Sequence, residues 1–205
     1  MSDVEKFNRF YESDFGRRIL EKEAGYIYEE LKECGEILDV GCGTGNFERE
    51  LSDLNITGLD ISEEMIEEAR KRSDKQFVRG NAESLEFDDA SFDAVFYVAT
   101  LEFVTDYKTA VREAWRVTRP GGMLLVIMLN PESRYFQEQS QDEDSYFRKV
   151  LHRDLEEIRE YISKFYEITK SEYSLGIAGQ EIFESSDKKY ASLYSIAGRK
   201  ISEYS

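Results

Sequence analysis

Short β-rich runs at Glu36–Val40, Asn55–Asp60, Gln76–Arg79, Ser91–Val98 and Gly122–Leu129 are separated by segments of helical periodicity or by charged loops. Few folds are open to such a chain. A strand that returns through a helix lies parallel to its predecessor, and the helices cover both faces of the resulting sheet. Ser62 followed by Glu63 and Glu64 reads as the cap and acidic first turn of a helix to about Arg70, so the second strand ends at Asp60.

The tail follows another pattern. After a helix from Asp154 to about Ser163, Tyr166–Leu175 and Tyr190–Arg199 are strand-like, with Gly176 and Gly179 between them and no room for a helix. They are expected to pair antiparallel at the sheet edge. The predicted class is therefore α/β: a Rossmann-like doubly wound sheet, mostly parallel, of seven strands with a C-terminal antiparallel strand. A length of 205 residues, 40% hydrophobic, fits one domain over 1–205. Its parts are a helical arm at 1–33, where Leu20, Ala24, Ile27 and Leu31 recur at helical spacing, a ligand-binding core at 34–130, and a substrate-side connection, helix and terminal hairpin at 131–205.

The first strand runs into LDVGCGTGNF, with glycines at 41, 43 and 45. A loop of this kind presents backbone N–H groups to a ligand. In a dinucleotide-binding domain it cradles a pyrophosphate, yet here Asn46 stands where that fingerprint wants glycine and Asp39 sits two residues before the first glycine. A carboxylate there repels a pyrophosphate and favours an ammonium or sulfonium group. S-adenosylmethionine carries both. Asp60, 19 residues after Gly41, can accept from ribose hydroxyls, a feature common to both nucleotide classes. After the third strand, Asn81 can meet an adenine edge while Ile61 and Met65 pack on its face; an ordinary turn also accounts for Asn81 alone.

At this point the sequence resembles the class I S-adenosylmethionine-dependent methyltransferases, most closely the small type-11 group. EILDVGCGTGNF, ITGLDISEEMIEEAR, GNAESLEFDDASFDAVFYVATLEFV and RVTRPGGMLLVI carry the resemblance over about residues 36–130. It implies that Asp39, Gly41, Cys42 and Gly43 line the methionine portion, Asp60 and Ile61 the ribose and adenine, and Ala82 and Glu83 the adenine rim, with Val98 on the same wall. The cofactor implied is S-adenosyl-L-methionine, the product S-adenosyl-L-homocysteine. Two departures stand out: many relatives have aspartate at Asn81, and paired histidines where this chain has Glu102-Phe103.

Methyl transfer from a sulfonium is an in-line displacement, so the enzyme's task is mostly positioning, and a base is needed only if the nucleophile must lose a proton. Glu102 is the candidate base, with capping or solvation as the alternative. The acceptor is expected beside the carboxyl ends of the first, fourth and fifth strands. Tyr11 and Arg17 of the arm, Phe103, and Tyr135 and Tyr146 of the 130–151 connection can reach it. Trp115 reads as core and the single histidine, His152, as a surface residue.

Forty-three acids against 27 bases, a net charge of −16, oppose phosphate backbones and anionic lipid, so neither nucleic acid nor membrane is an expected partner. The N-terminus has no export pattern, the apolar run Met123–Leu129 is too short to span a bilayer, and Cys34 and Cys42 have no metal-ligand spacing. A cytoplasmic, metal-free methyltransferase acting on a small molecule is the expectation. A non-catalytic S-adenosylmethionine-binding module serving a partner protein, or an NAD-dependent oxidoreductase, are the alternatives.

Overall fold

The computed structural model describes residues 2–201. Eight strands form one sheet: β1 (Glu36–Val40), β2 (Asn55–Asp60), β3 (Gln76–Arg79), β4 (Phe92–Val98), β5 (Thr118–Leu129), β6 (Tyr166–Ala178), β7 (Glu181–Phe183) and β8 (Ala191–Lys200). Their order is β3-β2-β1-β4-β5-β8-β6-β7. The first five are mutually parallel, and β8, β6 and β7 are joined antiparallel beyond β5. The sheet thus has one strand more than the seven expected: β6 continues past Gly176, and its end pairs with three residues too few to show an alternating pattern.

The helices are α1 (Asp3–Glu12), α2 (Asp14–Leu31), α3 (Asn46–Glu50), α4 (Glu63–Arg72), α5 (Tyr107–Val117), α6 (Arg134–Gln139) and α7 (Leu155–Ile162). α4 and α7 start at the caps read from sequence, Ser62 and Asp154, and α5 is capped in the same way. Ser62 Oγ accepts from Met65 N at 3.3 Å, Asp106 Oδ1 from Thr109 N at 3.0 Å and Asp154 Oδ1 from Glu157 N at 2.9 Å, satisfying first-turn N–H groups. Two apolar layers follow from the two sheet faces. One packs α5 and α7 through Ala110, Val111, Ala114, Ile158 and Ile162; the other packs α2 and α3 through Ile19, Leu20, Ala24, Ile27, Leu31 and Phe47. Burial on this scale, at about 25 cal/mol per Å² of apolar area, is what holds short parallel strands in register.

Between β1 and β4 the chain order reverses, so the loops after these two strands diverge and leave a crevice at their carboxyl ends. Trp115, expected in the core, packs at its margin partly buried. His152 is half-buried, its Nε2 2.9 Å from Val104 O and its ring against Tyr107. No helix among the described residues is long and apolar enough to cross a membrane.

Candidate active site

The glycine loop is built on backbone that side chains rarely adopt. Gly41, Gly43 and Gly45 have φ of 87°, 54° and 74°. A Cβ at Gly41 would stand 2.3 Å from the Thr100 side chain, so the loops after β1 and β4 close on each other at the one residue type that permits it. Asp60, at the end of β2, accepts from Gly43 N and from Ser62 N, both at 2.9 Å, and so pins the loop to the start of α4. Burial raises its carboxyl despite these bonds.

Above the loop lies a cavity of about 1020 Å³. Of the residues read from sequence as cofactor-binding, Gly41, Cys42, Gly43, Asp60, Ile61, Met65, Asn81, Ala82, Glu83 and Val98 line one part of it. Ile61 is 67% exposed, an apolar side chain left facing open space. Asn81 is already engaged, its Oδ1 accepting from Glu83 N at 2.9 Å, so the amide nitrogen is the group left for a ligand. Glu83 Oε1 accepts from Asp106 N at 2.9 Å and serves the entry to α5.

The second part of the wall is aromatic. Tyr11, Phe103, Tyr135 and Tyr146 all reach it. Tyr146 lies over Phe103 with centroids 4.3 Å apart, and its hydroxyl donates to Ala99 O at 3.2 Å. Ala99 itself has φ 45°, a strained conformation at the cavity rim. Tyr135 packs on Phe15 at 6.0 Å and on Phe147 at 5.6 Å, joining α2 to the 130–151 connection. That connection is not one loop, as it holds α6 and a 3₁₀ turn at Tyr146–Lys149.

Three expected residues are elsewhere. Arg17 is exposed and pairs with Asp14 at 2.8 Å on its own helix, on the face of α2 turned away from buried Gly16 and Ile19. Glu102 is fully buried and off the cavity wall; its Oε1 accepts from Leu129 N at 2.9 Å, clasping the end of β5, and burial raises it to about 7. Asp39 is 1% exposed. It shares the face of β1 with Ile37, behind the loop, where Glu48 of α3 is its neighbour. Burial first, then the Glu48 charge, holds Asp39 well above the carboxylate range, and burial carries Glu48 to about 7.

Among the wall residues missed from sequence is a buried acid. Glu23 of α2 faces the cavity at 7% exposure. Its signal was there: Ile19, Glu23 and Ile27 are four apart, so a glutamate interrupts a buried stripe.

Comparison with known proteins places this geometry. A methyltransferase-domain family model matches residues 38–126, from the end of β1 through β5. A Thermotoga maritima structure described as a possible histamine N-methyltransferase superposes with TM-score 0.81 and 26% identity, covering 97% of this chain and 96% of that one. Residues 38–126 thus match the methyltransferase-domain family, and the chain as a whole shares its fold with an S-adenosylmethionine-dependent methyltransferase. Among curated relatives, the demethylmenaquinone methyltransferase of Staphylococcus epidermidis is 40% identical over 99 residues, 44% of this chain and 41% of that protein. An uncharacterized Methanocaldococcus jannaschii protein is 35% identical over 128 residues, 62% of this chain and 49% of its own. The matched segment thus spans less than half the length of these relatives.

The cofactor of this methyltransferase family is S-adenosylmethionine, and the residues present fit it. Glycines 41 and 43 leave a cradle that a Cβ would fill, 3.1 Å from Phe7 in the case of Gly43. The wall itself carries two carboxylates, Asp60 and Glu83, which suit a ligand with positive centres.

Proposed function

We propose that this chain is a methyltransferase that moves the methyl group of S-adenosylmethionine to a small-molecule acceptor by in-line displacement. The observation that carries the reading is the continuity of the cavity: the glycine-loop wall and the aromatic wall bound one space, at the upper end of the ~300–1,000 Å³ usual for ligand sites. The names of the Staphylococcus epidermidis and Thermotoga maritima proteins, which point to a quinone and to an amine, support an acceptor of small size.

The cofactor supplies a methyl group on a sulfonium, whose departure as a neutral thioether needs no proton. The chain's own work is then to bind, align and exclude water. Asp60, Asn81, Met65 and Ile61 would hold the nucleoside portion, and Gly41 and Gly43 would let backbone approach the amino-acid portion. Phe7, Tyr11 and Tyr146 cover the remaining space and dry it, which strengthens every electrostatic contact inside. Holding the reacting atoms in line can lower a barrier by about 7 kcal/mol or more.

Calorimetric titration with S-adenosylmethionine, S-adenosylhomocysteine and NAD is the first test. Micromolar binding of the first two and none of NAD is expected; the reverse preference sinks the reading. Transfer of labelled methyl to a metabolite panel then separates an enzyme from a binding module.

A further inference from the structure

Glu23 is a buried acid in an apolar setting. It faces the aromatic part of the cavity together with Tyr11, Tyr135, Leu175, Ile177 and Leu193. Its Oε2 has no hydrogen-bond partner among the described residues, although the residue is 93% buried, at 7% exposure. Its charge is felt by both phenols, Tyr11 and Tyr135, which burial has already raised. Burial pushes Glu23 itself to about 8, and no lysine or arginine among the described residues offsets that push. An unpaired acid on a core-facing stripe costs stability, and chains keep such a group where a ligand completes it.

We infer that Glu23 is the acceptor-recognition residue and that the acceptor is a small amine with an apolar or aromatic body. The inference rests on the methyl-transfer reading above. A carboxylate or phosphate acceptor has no positive charge to offset the ionisation of Glu23. An ammonium ion supplies both the missing donor and the missing charge, and the rings of Tyr11 and Tyr135 offer it π faces. The net charge of −16 draws cations toward the chain.

The same carboxyl group accounts for the proton. The bound ammonium passes one proton to the Glu23 carboxylate, which frees the nitrogen lone pair. That nitrogen then bonds the methyl carbon as the carbon–sulfur bond breaks, its electron pair staying on sulfur. Nitrogen gains the positive charge that sulfur loses. The proton on Glu23 returns to solvent as the methylated product leaves.

The test uses the full chain saturated with S-adenosylhomocysteine and titrated with benzylamine, 2-phenylethylamine and tryptamine, each beside its matched alcohol and carboxylate. Amines are expected to bind at least tenfold tighter than their partners. In Glu23→Gln, amine affinity should fall at least tenfold while S-adenosylhomocysteine affinity stays within twofold. Glu23→Leu should melt higher than the parent chain and bind no amine. The inference is overturned if no amine binds, if alcohols or carboxylates bind as well, or if Glu23→Gln leaves amine affinity unchanged. Failure of the methyl-transfer reading shows up separately, as loss of cofactor binding, and amine titration of the cofactor-free chain still decides the role of Glu23.

Discussion

Lys149, at the end of the 3₁₀ turn, reaches Asp3 at the start of α1, Nζ to Oδ2 3.2 Å. The two segments that roof the cavity are therefore tied to each other across its mouth. At the far end of α1, Glu12 pairs with Arg72 of α4 at 3.1 Å. Exposed pairs of this kind contribute about 0.2–1 kcal/mol, enough to bias a roof and too little to lock it.

Removing that roof should separate turnover from stability. No residue of α1 is fully buried. Deleting residues 2–12 is expected to lower methyl transfer more than tenfold while costing about 1 kcal/mol, roughly 2–4 °C in Tm. Unchanged turnover in the truncated chain would mean that α1 excludes nothing.

Asp60 makes two backbone contacts that shape the loop, so its loss acts twice. Asp60→Ala is expected to weaken S-adenosylmethionine by about 1.5–3 kcal/mol, the range for a charged hydrogen-bond partner. Calorimetry on a variant with parental circular dichroism checks it, and an unaltered dissociation constant removes Asp60 from the site.

The two tyrosines of the connection should part company. Tyr135 is 8% exposed between two rings, and Tyr135→Ala should cost about 3–5 kcal/mol of stability, as for other buried aromatics. Tyr146 is 47% exposed, and Tyr146→Ala should stay within about 0.5 kcal/mol while slowing transfer to the acceptor. Chemical denaturation beside a turnover assay distinguishes the pair; equal stability losses would show that Tyr146 belongs to the core.

Buried acids set an unusual pH trend. Glu23 at about 8 and Glu48 and Glu102 at about 7 all lie above their ordinary value of 4.5. Raised acids bind protons better in the folded chain, so their contribution is complete below about 4.5 and is lost as pH rises through 7 to 8. One group shifted this far accounts for on the order of 3 kcal/mol. Tm is expected to fall between pH 5 and pH 8.5, and Glu102→Gln, which keeps an oxygen for Leu129 N, should flatten the slope. A slope identical to that of the parent chain would place Glu102 in water.

Period and capping made most of the sheet legible. β1, β2 and β3 have the bounds expected from sequence, because Asp60 and the Ser62 cap mark where a strand must stop and a helix must start. β5 begins at Thr118 and not at the expected Gly122, because the strand runs on through Pro120 and Gly121 with an irregular register opposite Phe92 and Ala94. A motif tells where a residue sits and not which way its side chain turns. Asp39 and Glu102 were read as facing a ligand, and each instead faces protein, because one residue along a strand or a 3₁₀ turn reverses the direction. Glu23 went unread for the opposite reason: it lies on a stripe beside the one that was noticed, at 20, 24, 27 and 31.

The position of β8 has a consequence for how the chain is made. It is last in sequence among the strands yet lies inside the sheet, bonded to β5 on one side and β6 on the other. A nascent chain that has emerged only through β7 carries two open edges with unpaired backbone groups, and the apolar face of β5 beside them. Synthesis must therefore finish the interior of this sheet after its rim, and until Ala191–Lys200 threads the gap, a chaperone or a neighbouring chain can occupy that slot.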